Sequence, residues 1–328
     1  MKKSSKKILI VGAGNIGSRH LQALKAVSVP LEIFVVDSSE ASLLLAKERY
    51  ESMPVGKCVH EINFLQNIPD KFISLDLAII ATCADIRADI VKKLLKITKI
   101  KYLILEKLLF CNKSDYNSIS KLLKITKTKT WVNCSMRMMS IYRDGRADFL
   151  GRKLFYSANW SGYGLVTSAI HYIDHMVFLN GSDDFVVLTD GLDKNVVASK
   201  RKGFVDFTGA LSVLFKNGSI GTFVCNKNGK APITVSFFSD KARFIVKETE
   251  SRAWHADELG DWQWSEIEAK IPFQSQLSTQ LVESILNSGK CELVDYEQSK
   301  KTHLQFLEPV FKFLNKNSKK KYNYYPFT

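Results

Sequence analysis

Three groups of residues in this chain could do chemistry. The first is Gly12-x-Gly14-x-x-Gly17, which follows the apolar run Ile8–Val11, with Asp37 at the end of a second apolar run twenty residues past Gly17. Each glycine has a physical task in holding a dinucleotide. Gly12 permits a tight turn, Gly14 lets backbone approach a pyrophosphate, and Gly17 lets a helix pack close to its strand. With Asn15 and Ile16, they offer the free N–H groups of a helix start to phosphates. Asp37 can accept hydrogen bonds from ribose hydroxyls and would repel a 2′-phosphate. Ser38 beside it brings no positive charge, so NAD is expected rather than NADP. The second group is "LILEKLLF", where Glu106 and Lys107 form an ionic pair after an apolar run. Such a pair serves either chemistry or mere solubility. The third is "SAIHYIDHMVFLN", in which His171 and His175 share one helix face. Zinc proteases carry glutamate directly after the first histidine, where this chain has Tyr172. No third ligand is suggested, so no metal is expected.

The elements that must position these residues change character along the chain. Up to about Ser135, apolar strand runs alternate with helical patterns: "ILIV", "LEIFVVD", "LDLAIIATC", "KYLILEK" and "KTWVNCS" are strands, with a further short strand expected near Cys58–His60. Repeated βα units of this length predict a doubly wound parallel sheet. In such sheets ligands sit beyond the carboxyl ends of the strands, which puts Thr82, Cys83, Glu106 and Lys107 beside the cofactor as well. After Ser135, strand runs follow one another with hairpin signals at Asn217-Gly218 and Asn228-Gly229. One helix over 166–180 is embedded in this half, and two more, around 275–287 and 296–314, close the chain. The expectation is an α/β domain over 1–132 and an α+β domain with a largely antiparallel sheet over 133–328. The tail "KNSKKKYNYYPFT" is expected on the surface.

Composition narrows the class. Of 328 residues, 45% are hydrophobic and 24% charged, the balance of a globular protein, and no apolar run is long enough to span a bilayer. The "MKKSSKKILIV" start reads as a buried first strand rather than a signal peptide. Six scattered cysteines without a Cys-x-x-Cys pair fit reduced thiols in a cytoplasm. The net charge of +14 comes from lysine clusters such as 2–7 and 92–101. In "VKKLLKI" and "KLLKIT" lysine alternates with apolar residues at helical spacing, the pattern of a solvated face, so neither nucleic acid nor membrane is expected as a partner. A cationic surface that draws anionic cofactors or substrates is the simpler account.

Together, the glycine motif, the "ATC" strand end, "EK", the arginine of "CSMRMMSIY" and the His-x-x-Asp helix resemble the glucose–fructose oxidoreductase/inositol dehydrogenase (Gfo/Idh/MocA) family over nearly the whole chain. Lys107, Arg137, His171 and Asp174 match the family pattern. Leu108 stands where relatives carry proline, Thr167 where they carry an aspartate, Ser135 where they carry asparagine and Met138 where they carry an aromatic residue. The resemblance implies an N-terminal Rossmann domain and a second domain with an open sheet that forms homo-oligomers, dimers or tetramers. It implies NAD-dependent oxidation of a secondary alcohol of a sugar, sugar acid or nucleotide-sugar, or the reverse, with surface-polysaccharide biosynthesis as a setting found in the family. His171 would then be the general base and Lys107 would stabilise the developing oxyanion. Arg137, Tyr163, Thr167 and Asp174 would meet or frame the substrate. Tyr163 fits loop packing equally well, and Asp174 either orients His171 or bonds backbone. Loss of the family's aspartate at Thr167 implies altered substrate choice or weak activity, and the family also includes NAD-binding regulators without catalysis.

Overall fold

The computed structural model describes residues 5–70 and 74–328; Lys2 and Lys3 of the first basic cluster lie outside them. The chain forms two compact units, one running to Asn133 with Pro272–Glu297 added, the other Cys134–Ile271 with Gln298–Thr328. Residues 272–297, counted with the second domain from the sequence, thus pack with the first unit.

In the first unit, β1 (Lys6–Val11), α1 (Asn15–Leu24), β2 (Leu31–Val36), α2 (Glu40–Glu51), β3 (Glu61–Leu65), β4 (Ser74–Ile80), α3 (Ala84–Ile97), β5 (Lys99–Leu105), α4 (Lys113–Thr126) and β6 (Lys129–Val132) follow in order. The sheet order is β3-β2-β1-β4-β5-β6, all parallel. The chain reverses direction between β1 and β4, and a crevice for a ligand opens at such a switch. Ile8, Leu9 and Ile10 of β1 and Leu77–Ile80 of β4 are fully buried, as strands covered on both faces require. The third strand lies at Glu61–Leu65, just past the Cys58–His60 position expected for it. It pairs there with Glu32–Val36 of β2, while Val59 points into solvent. On α3, Val91, Leu94 and Leu95 are buried while Lys93 and Lys96 face water, so this basic cluster is a solvated helix face.

The second unit begins with the short α5 (Ser140–Arg143), then β7 (Phe155–Ser161), α6 (Leu165–Asn180), β8 (Phe185–Leu188), β9 (Val197–Ala198), β10 (Val205–Asp206), β11 (Gly209–Phe215), β12 (Ile220–Asn226), β13 (Thr234–Phe238), β14 (Ala242–Lys247), β15 (Arg252–Asp257) and β16 (Ser265–Glu268). Eight strands form one sheet in the order β16-β15-β14-β13-β7-β12-β11-β8, antiparallel except where β7 meets β12. α6 is apolar nearly all round and almost wholly buried. Only its Thr167, Ser168, His171 and Phe178 keep partial exposure.

α7 (Gln274–Ser288) belongs to the first unit and lies against α1, where Thr279 Oγ1 donates to the Ala23 carbonyl (2.8 Å) and Glu283 accepts from Ser28 N and Oγ. It leads into β17 (Val294–Asp295), which adds antiparallel to β6. α8 (Tyr296–Asn317) follows. The tail is not a surface segment at its end. Tyr325, Phe327 and Thr328 are buried, Phe327 packs on Phe207, and Val205 N donates to the Pro326 carbonyl (2.9 Å). Lys319–Lys321 stay exposed, while burial of the aromatic end draws the last residues inward.

Candidate active site

In the first unit, the glycine loop leaves β1 with Gly12 at φ +95°, a conformation that disfavours any side chain. A Cβ on Gly17 would lie 1.7 Å from the Gly12 carbonyl oxygen, so helix and strand can approach this closely only without one. Gly14 is different. Nothing lies within 4 Å of its Cβ position, and its φ of −63° suits any residue. As the N-cap of α1 it brings no capping side chain, and the first turn holds no acidic residue. The uncapped N–H groups and the open space at Gly14 form an anion cradle. Arg49 of α2 reaches Ser18 Oγ (2.7 Å) and Asn15 Oδ1 (3.3 Å), which fixes a positive charge beside it. Asp37 accepts from Ala13 N (2.7 Å) and Ser39 N (2.9 Å), which locks its carboxylate at the loop with Ser38 exposed beside it.

The next two strand ends are bound together by a residue the sequence reading passed over. Arg87 of α3 is 2% exposed and donates to the carbonyls of Thr82, Glu106, Leu108 and Leu109, with 2.7 Å to Glu106 and 2.8 Å to Leu109. It thereby fixes the segment that presents Lys107, which is partly exposed and precedes a cis peptide to Leu108. Thr82 Oγ1 is buried without a hydrogen-bond partner among the described residues. Cys83 is the N-cap of α3 and makes no side-chain cap bond. An open cradle, a locked ribose acceptor and an orphaned hydroxyl across the same switch point fit a dinucleotide.

Glu106 faces inward. Its Oε1 accepts from Asn133 Nδ2 (2.6 Å) and lies 3.0 Å from His20 Nε2, while His20 Nδ1 lies 2.7 Å from Ser278 Oγ. Burial pulls the Glu106 pKa upward, but the His20 and Asn133 hydrogen bonds, with the His20 and Arg87 charges, carry it below the usual carboxylate range. Gln274 of α7 completes the network by donating to Ser278 Oγ (2.9 Å) and accepting from Asn133 (3.1 Å). Glu106, expected to meet the cofactor, is instead turned into this internal network and holds the base of the Lys107 segment.

In the second unit, α6 carries Thr167, His171 and Asp174 one helical turn apart in succession. Its N-terminus is capped from a distance. Asp206 of β10, 2% exposed, accepts from Val166 N (2.7 Å), Thr167 N (3.2 Å), Thr167 Oγ1 (2.5 Å) and Phe207 N (2.8 Å). Burial nevertheless raises its pKa. The family's aspartate is missing at Thr167, yet a carboxylate from another strand sits in contact with the Thr167 hydroxyl. Sequence reading could not find it, because Asp206 lies outside every motif and 39 residues away.

Arg137 and Asp174 meet each other. Arg137 Nε and Nη2 grip Asp174 in a bidentate pair (2.7 and 2.8 Å), and Gln298 accepts from both Nη atoms at 3.2 Å. Both are buried, at 7% and 1% exposure, so the guanidinium anchors α6 from below. His175 is equally internal, with Tyr156 OH on Nδ1 (3.0 Å) and the Tyr142 carbonyl on Nε2 (3.0 Å). Burial lowers its pKa to about 3. Both of its nitrogens are occupied, and among the described residues no group of three His, Cys, Asp or Glu could hold a metal ion. Tyr163 stacks on buried Trp160 (5.9 Å, 20°) and is about a third exposed, with Lys200 Nζ over its ring.

Residues 6–134 match the Gfo/Idh/MocA family model, described as an oxidoreductase family with an NAD-binding Rossmann fold. No curated protein matches in sequence. Similar solved structures include an oxidoreductase from Agrobacterium radiobacter in complex with NAD+, L-tartaric acid and magnesium, at 15% identity and TM-score 0.71, covering 96% of this chain and 98% of that one. UDP-N-acetylglucosamine 3-dehydrogenase GnnA from Acidithiobacillus ferrooxidans is similar at 11% identity and TM-score 0.67, over 93% and 97% of the two chains. A probable dehydrogenase from Thermotoga maritima reaches 17% and 0.69, over 95% and 97%. At these identities the likeness is one of fold.

Proposed function

Since residues 6–134 match the NAD-binding Gfo/Idh/MocA oxidoreductase family model, we propose that the chain is an oxidoreductase of that kind and interconverts a secondary alcohol and a ketone on a sugar, sugar acid or nucleotide-sugar. NAD, when bound, supplies the hydride acceptor. Gly14 and the α1 N-terminus hold its pyrophosphate and Asp37 its ribose, with Thr82 and Cys83 alongside. His171 takes the hydroxyl proton, which an imidazole can do near neutral pH. Lys107 donates to the same oxygen and stabilises the charge that develops there. Thr167 and Tyr163 frame the substrate, while Arg137 and Asp174 hold α6 in place.

The observation that carries this reading is the Arg87 clamp, which ties the ends of β4 and β5 together and so holds the segment that carries Lys107. A regulator that only binds NAD would need no such presentation. The main argument for that rival, the absent aspartate at Thr167, weakens because Asp206 brings a carboxylate to the Thr167 hydroxyl. The test is NADH formation across a panel of sugars, sugar acids and nucleotide-sugars, with His171→Ala as control.

Homo-oligomers, dimers or tetramers, complete the proposal. Val186, Leu214, Ile220 and Phe155 are exposed and lie in one row across four adjacent strands of the large sheet. An apolar row of this kind suits a second copy. None of the six cysteines is in a disulfide, which fits a cytoplasmic location.

A further inference from the structure

We propose that the cavity beside the start of α6 is a subsite for an anionic substituent of the substrate, a phosphate or a carboxylate. The proposal rests on the dehydrogenase reading, because it assigns a substrate class at that same site. The cavity holds about 260 Å3 and is lined by Tyr163, Thr167, Ser168, Lys200, Arg201 and Lys227, among others. Three cations from two separate turns therefore border one space. The β9–β10 turn carries Lys200 and Arg201, and the β12–β13 turn carries Lys227.

Some surface cations of this unit are paired with carboxylates: Lys301 with Asp183 and Asp184, Arg252 with Glu266, Arg152 with Asp240. Lys200, Arg201 and Lys227 pair with no carboxylate among the described residues. Asp206 is the single acidic side chain on the cavity wall, and its two oxygens already accept from four donors. Thr328, whose carboxylate oxygen accepts from Thr167 Oγ1 (3.3 Å), lines the wall too, so three cations face two anions. A surplus of positive charge in a concave space attracts an anion, because low-dielectric walls concentrate the field. The wall also suits the rest of such a molecule. Thr167 and Ser168 bring hydroxyl groups, and the Tyr163 ring, braced on Trp160, offers a plate for a sugar or base. Lys200 Nζ stands 5.4 Å from the centre of that ring.

The turn that carries Lys200 and Arg201 is well anchored. β9 and β10 pair as a ladder, Ser199 N donates to the Phe204 carbonyl (3.1 Å), and Pro326 accepts from Val205. The anion is a part of the substrate rather than a separate effector, because Thr167 and Tyr163 line the same cavity. Arg137 cannot serve as its partner, since Asp174 occupies it.

The experiment is calorimetric titration of the NAD-loaded protein with glucose, glucose 6-phosphate, glucuronate and UDP-glucose, at low salt and with 0.5 M salt added. At least one of the three anions should bind about tenfold or more tighter than glucose. The Lys200→Ala/Arg201→Ala/Lys227→Ala variant should lose most of that preference, and so should wild type in high salt. The pattern among the phosphate, the carboxylate and the diphosphate tells which anion the subsite takes. Lys227→Glu, on the other turn, should weaken the preferred anion in the same direction, which guards against a folding defect in the triple variant. Equal binding of glucose and all anions, no binding of any anion, or a preference that survives the triple substitution would overturn the subsite. If the preference disappears in the variant but no compound yields NADH in wild type, the subsite stands and the dehydrogenase reading falls. If glucose is oxidised and every anion is ignored, the reverse holds.

Discussion

At the scale of single residues, Gly14 and Gly17 separate binding from folding. Gly14→Val adds a side chain into open space at a φ that tolerates it, so stability should fall by no more than about 1 kcal/mol, the loss of a favoured N-cap residue. NAD affinity, read by fluorescence titration, should fall at least tenfold, because the new side chain fills the pyrophosphate position. Gly17→Ala should instead fail to fold, since its Cβ meets the Gly12 carbonyl. His175 gives a pH signature. Its folded pKa of about 3 lies below the ordinary 6.5, so the unfolded chain binds the extra proton and stability is lost as pH falls from about 6.5 towards 3. Urea unfolding at pH 7, 6 and 5 should show wild type losing up to roughly 1.4 kcal/mol per pH unit more than His175→Gln in the lower part of that range. Parallel losses in the two proteins would contradict the assignment. The glycines were legible in the sequence because they act through local backbone geometry: Gly12 makes the turn and Gly17 allows the close helix–strand approach that their spacing implied. Arg137 shows the opposite case. Its presence could be read, but its capture by Asp174 depends on how α6 packs.

At the scale of elements, two long-range polar contacts set the site, and neither has a sequence signature. Asp206 caps α6 from a strand that follows it in the chain, so no capping motif precedes the helix. Asp206→Ala should cost about 1–2 kcal/mol of stability, the usual loss for a removed helix cap, and slow turnover by loosening Thr167. Denaturant unfolding checks the first effect and kcat the second; an unchanged stability would remove Asp206 from the cap. Arg87→Met should cost about 3 kcal/mol, because it strands several buried carbonyls, and should lower kcat more than NAD affinity. Strand and helix identities were legible from apolar runs and helical spacing. The third strand was misplaced by a few residues, because pairing with β2, rather than local composition, selects Glu61–Leu65.

At the scale of the whole molecule, the division into a parallel α/β unit and an antiparallel α+β unit follows from the change in texture near Ser135. The return of residues 272–297 to the first unit does not, since an amphipathic helix at that point could cover either unit. His20, Asn133 and Glu106 decide it through a buried network with Ser278 and Gln274 that no local pattern announces. On the large sheet, Leu214→Glu/Ile220→Glu should turn the proposed oligomer into monomer by light scattering, with the thermal unfolding of the subunit retained. A monomeric wild type would contradict that surface's role. The central claim concerns catalysis, and its most direct test is single-turnover NADH formation with NAD and the sugar panel, in wild type and in His171→Ala. The account predicts NADH from at least one substrate in wild type, a rate lower by about 10²–10⁴ in the variant, and unchanged NAD binding. A protein that binds NAD and yields no NADH from any of these substrates, in wild type and variant alike, would contradict it.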